Sequence, residues 1–171
     1  MTMRLCLAAV LAILAFGCCV QPARAAAPCS SATYHQYDFF VGSWIVKNKH
    51  GKQFATDLVT KEFRGCVLWE RWYGRSSHGA GYTGYDAARK IWVQNFMMDD
   101  GTVLSFEGRA VGTSMLFHGP SYPKAGVVEQ NRVVFRKLPE DRVEEFWTVS
   151  HDGKTWTTVF DGFFSRASAK A

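Results

Sequence analysis

Glu70, Gln94 and Glu145 are polar residues set within apolar strand faces. Glu70 lies between Leu68 and Trp72 at the two-residue spacing of one face of a strand. Gln94 lies in the same way between Trp92 and Phe96, and Glu145 between Val143 and Trp147. If these faces point into one core, two carboxyls and an amide sit among tryptophans. A carboxylate there is costly unless it is hydrogen-bonded or paired, and burial raises its pKa. Such a set would orient a ligand in a lined cavity or act as a general acid or base. Trp72, Trp92, Phe96, Phe106 and Trp147 would supply the walls. With the faces reversed, Glu70 and Glu145 are solvated and Arg71 points inward. A third reading ties Glu70 to a structural partner such as Arg132.

The remaining chemistry-bearing residues are less informative. The five histidines are His35, His50, His78, His118 and His151. None falls at metal-ligand spacing, and HxH, HExxH and CxxC motifs are absent, so no metal site is expected. His118 ends an apolar run next to Gly119 and is the histidine placed to reach a barrel rim, where it is the best single candidate for a haem or metal ligand, with a plain rim residue as the alternative. No G-x-S-x-G elbow or phosphate-cradling loop before a helix is present, and no motif names a cofactor. Ser150–Trp156, SHDGKTW, has the look of a single Asp-box turn and reads as a hairpin.

The elements that position these residues are strands. Gly81–Gly108 reads as three antiparallel strands joined by turns at Tyr85–Lys90 and Asp99–Gly101. Asp opens both turns, and Asp-Gly between apolar runs is a strong hairpin signal. Strands are expected at about 43–49, 54–63, 66–74, 81–86, 91–98, 102–108, 113–118, 127–137, 142–150 and 154–165. Tyr34–Val41 is expected to form a short helical plug beneath them. Gly119–Gly126, GPSYPKAG, reads as a loop or a lid. Even spacing, Gly-rich turns and apolar residues on both strand faces indicate a closed or doubly covered all-β domain.

Residues 1–25 have the pattern of an export signal: Arg4, an apolar run from Leu5 to Val20, and Ala23-Arg24-Ala25 as a cleavage site. Lipid anchoring through Cys18 is the lesser alternative, since Ala15 and Phe16 precede it poorly. The expected location is periplasmic or secreted, and no later run is long enough to span a membrane. Residues 26–171 then form one domain. The formal charge of +5 includes Arg4 and Arg24, and the remaining basic residues are scattered among acids. That pattern does not favour nucleic acid, which wants a basic stripe. Cys29 and Cys66 remain after cleavage, and in an oxidising compartment they suggest one disulfide. Two buried thiols or a reactive cysteine are the alternatives.

YHQYDFFVGSW (Tyr34–Trp44), GCVLWERW (Gly65–Trp72), GYTGYDAARKIW, DGTVLSFEG and SHDGKTWTTVFDGFFSR (Ser150–Arg166) together resemble the bacterial secreted, lipocalin-like domains of the calycin group, over nearly all of the mature chain. The resemblance implies a ten-stranded antiparallel barrel whose last strand closes against the first. Similarity to calycin barrels that carry fatty acids or haem extends to the fold only and transfers no site. The resemblance carries over no activity, and the function expected from the residues is binding of a small hydrophobic or aromatic ligand inside the barrel. An isomerase or hydrolase using a buried Glu, and a filled barrel acting through its surface, are the alternatives.

Overall fold

The computed structural model describes residues 27–168. The expected signal segment and Cys18 lie outside them. Ten strands follow two short 3-10 turns, Ala32–His35 and Asp38–Phe40. The strands are β1 (Gly42–Lys47), β2 (Gln53–Glu62), β3 (Val67–Gly74), β4 (His78–Asp86), β5 (Ile91–Met98), β6 (Val103–Val111), β7 (Ser114–Lys124), β8 (Val127–Leu138), β9 (Arg142–Ser150) and β10 (Thr157–Arg166). Each pairs antiparallel with its sequence neighbours, and β1 pairs with β10 to close the barrel. The expectation of a ten-stranded antiparallel barrel with a helical plug is met.

The turns form where short polar side chains satisfy free backbone amides. Asp86 Oδ1 accepts from the amides of Ala88 and Arg89 at 3.0 and 3.1 Å. Asp100 Oδ1 accepts from the Thr102 amide at 2.8 Å, and Gly101 takes the positive φ (86°) that the Asp-Gly hairpin needs. Asp152 accepts from the Lys154 and Thr155 amides, which holds its carboxyl far below the usual carboxylate range. The Ser150–Trp156 segment is thus the hairpin its residues suggest.

The expected loop at Gly119–Gly126 is instead mostly strand. Pro120 and Ser121 continue β7 opposite Gln130 and Glu129 of β8. On the other side, β6 pairs with β7 only between Ser114 and His118. Beyond His118 β7 has a ladder partner on one side alone, and this is where strand proline is tolerated. Asn131 ties the ribbon down: its Nδ2 donates to the Gly119 carbonyl and to Ser121 Oγ, at 3.1 and 2.9 Å.

One end of the barrel carries the β2–β3, β4–β5, β6–β7 and β8–β9 turns and is closed by the plug. Tyr37 and Phe40 are buried there. Tyr37 packs against Phe40, Trp92, Phe117 and Phe135 with ring centroids 5.4 to 6.2 Å apart. Phe40 continues the cluster to Phe164 and to Trp44, whose Nε1 donates back to the Phe40 carbonyl at 2.8 Å. The Cys29–Cys66 disulfide fastens the plug segment to the turn before β3. Lys61 of β2 adds an ion pair to Asp38 at 2.6 Å.

Candidate functional site

Above this aromatic floor the barrel is open. A cavity of about 820 Å³ runs from the floor to the opposite end. Its walls include Phe54, Trp72, Phe96, Phe106, Trp147 and Phe160, with Glu70, Gln94 and Glu145 among them. Asn48, Lys52, Arg75, Ser76 and Ser77, from the β1–β2 and β3–β4 turns, form the mouth. The wall aromatics brace one another. Phe54, Trp72 and Phe160 pack mutually at 5.7 to 6.0 Å between centroids, and Phe106 meets Trp147 edge-on at 5.8 Å. Trp147 Nε1 donates to Asn131 Oδ1 at 2.7 Å, which fixes that ring.

The orientation of the strand faces follows from register. Glu70 stands between Val59 of β2 and Gly81 of β4, all pointing inward. Its neighbour Arg71 lies on the outer wall, over the Trp69 ring at 4.1 Å. Gln94 is buried between Thr83 and Phe106, and Glu145 faces inward between Phe135 and Gly162. Phe54 reaches the cavity because the β1–β2 ladder shifts register between Val46 and Lys47. Gly81 matters for a different reason: a Cβ there would collide with the Asn95 carbonyl and the Phe96 ring. The absent side chain lets Phe96 lie across the sheet.

Of the nine residues singled out from the sequence, Glu70, Trp72, Gln94, Phe96, Phe106, Glu145 and Trp147 line this cavity. Two lie elsewhere. Trp92 belongs to the floor, where it packs on Tyr37 and its Nε1 donates to Gln36 Oε1 at 3.0 Å. His118 is exposed on the outer wall, opposite Glu107 and Arg132, because its place in β7 has outward parity. It does not reach the rim. Arg132 is outside as well, stacked on Trp156 at 3.6 Å, and forms no pair with Glu70.

Asp57, unremarked in the sequence, completes the interior set. It is 2% exposed, and neither of its carboxyl oxygens has a hydrogen-bond partner. Burial raises its pKa from 3.8 to about 7, against weaker downward pulls from the Leu58 amide and Arg71. Burial likewise pushes Glu145 from 4.5 to about 8, with help from the nearby Asp57. Glu70 is raised well above 4.5 by burial, then by Asp57 and Glu145. The Tyr37 hydroxyl, buried without a partner, is also pushed up by burial and by the three carboxyls. Among the described residues, no ion pair includes Asp57, Glu70 or Glu145.

No group of three or more His, Cys, Asp or Glu among the described residues is arranged to hold a metal ion. No helix among them is long and apolar enough to cross a membrane. No protein-family model matches this chain, and no curated protein matches it.

Proposed function

We propose that this chain is an exported binding protein that holds a small hydrophobic or aromatic molecule in the upper half of its barrel. The observation that carries this reading is the cavity itself. Its volume of about 820 Å³ lies in the range of small-molecule sites. Its lining combines aromatic walls with a few convergent polar groups, the composition typical of such sites. The disulfide supports export, since it suits an oxidising compartment. The cavity also weighs against a barrel filled throughout by its own side chains. Native mass spectrometry of the chain from residue 26, purified from an oxidising compartment, tests the proposal. Extra mass that is lost on denaturation is the expected result. A bare chain that also leaves Trp72 and Trp147 fluorescence unchanged across a panel of aromatic and aliphatic ligands would refute it.

A second reading rests on the raised carboxyls. A Glu145 pKa of about 8 suits a general acid, or a base near neutrality, in an isomerase or hydrolase. It predicts turnover that Glu145→Gln or Glu70→Gln abolishes while the ligand-bound state persists.

A further inference from the structure

The interior of the barrel is one-sided in charge. Glu70 on β3, Glu145 on β9 and Asp57 on β2 come from strands separated at most by β2, β1 and β10, and they converge above the Tyr37 hydroxyl. The cations near this set lie elsewhere. Lys52 and Arg75 are exposed at the mouth, and Arg71 lies behind the wall against Trp69. Glu70 is only 9% exposed, lines the cavity, and takes part in no ion pair among the described residues.

Ligand classes differ in how they meet this arrangement. A hydrocarbon fills the walls and leaves the carboxyls as they are. An anion finds no cation among the carboxyls and must keep them protonated. A cation supplies the charge that the interior lacks, and the Trp72, Trp147 and Phe160 rings offer it π faces. The mouth cations oppose its approach weakly, because exposed charges are screened by salt.

We infer that the ligand is a lipophilic amine, its ammonium group held by Glu70 and Glu145 and its apolar body packed against Trp72, Trp147 and Phe160. This rests on the proposed binding function and narrows it. When the ammonium arrives, one neutral carboxyl gives up its O–H proton to solvent and becomes the counter-ion. Binding therefore releases a proton. The Glu145 pKa of about 8 places this release in the neutral range. Affinity for the amine then rises with pH, by roughly tenfold per unit while the carboxyl is still protonated and the amine still charged.

The test compares ligands of one shape and different charge: naphthylmethylamine, naphthylmethanol, methylnaphthalene and naphthoate. Titration calorimetry on the disulfide-bonded chain, at about pH 6 and about pH 8 and in buffers of different ionisation heat, reads affinity and protons released. The amine is expected to bind about tenfold tighter than the alcohol at the higher pH, and to release close to one proton at the lower pH, where the Glu145 carboxyl is still protonated. Glu70→Gln and Glu145→Gln should each reduce the amine-to-alcohol affinity ratio about tenfold. Should one variant not fold, the other and the proton count still decide. Equal or tighter binding of the alcohol or naphthoate, or amine binding without proton release, overturns the amine inference and leaves the binding function standing. Failure of all four ligands to bind overturns both.

Discussion

Replacing Asp57 by Asn isolates the energetic cost of a carboxyl buried without a partner. Asn has nearly the same shape and does not titrate. In the folded chain Asp57 has a pKa raised from 3.8 to about 7. Between those values the folded state holds a proton that the unfolded state has lost, so stability falls as pH rises, and the loss is complete above about pH 7. Each pH unit in that window costs about 1.4 kcal/mol, so the whole interval amounts to about 4 kcal/mol for Asp57 alone. The Asn variant escapes this loss. Its amide carries its own burial cost, but that cost is the same at every pH and cancels in the comparison. Asp57 also helps raise Glu70 and Glu145, so removing its charge relieves them in the same direction. Urea denaturation at about pH 4 and about pH 8 measures the effect. The stability of Asp57→Asn relative to the parent should improve by about 4 kcal/mol on going to the higher pH, or about 2 M in midpoint at a typical urea slope. A difference that stays constant with pH would refute the reasoning. So would a parent that gains on the variant at high pH, which would mean that Arg71 pairs with the carboxylate after all.

Removing the disulfide with Cys29→Ser and Cys66→Ser should cost about 4 kcal/mol on the chain-entropy relation for a separation of 37 residues, seen as a lower urea midpoint that matches the reduced parent. Arg166 donates to both Asp141 oxygens and to the Val41 carbonyl while lying over Trp44 at 3.8 Å. Arg166→Ala should therefore lose about 1–2 kcal/mol, and Arg166→Lys, which lacks the flat fork, should recover little of it in the same melts. Gly81→Ala should destabilise the barrel by about 2–3 kcal/mol in urea titration, because the added carbon meets the Asn95 carbonyl and displaces Phe96 toward the cavity.

The strands were legible because alternation and turn chemistry agree in this chain. Asp86, Gly101 and Asp152 stand where the turns form. The site was legible in part, since Glu70, Gln94 and Glu145 each interrupt an apolar face that a barrel turns inward. Inside and outside were harder to tell apart. Tyr73, Tyr82, Met97 and Val103 are exposed on the outer wall, so apolar residues occupy both faces of the same strands. Asp57 was missed for the same reason. Its strand carries Leu58 on the outer face, and polarity alone would have placed Asp57 outside. Trp92 shares a face with Gln94 and Phe96, and only the depth of the plug decides that it meets Tyr37 rather than the cavity. The end of β7 was hidden by Pro120 and Pro123, whose cost depends on whether a ladder partner is present on that side.

Closure of β1 on β10 joins the first strand to the last, with Trp44 opposite Arg166 and Lys47 opposite Phe163. Such pairing between distant parts of a chain is slow to form. A ribosome delivers these two strands at opposite ends of synthesis. Until β10 emerges, β1 has β2 on one side and a row of unsatisfied amides and carbonyls on the other, an edge that any extended segment can join. The newborn chain is thus most vulnerable to misassociation along Gly42–Lys47. A truncation that removes β10 would leave that edge open for good, so a prematurely stopped product should aggregate rather than persist as a nine-stranded barrel.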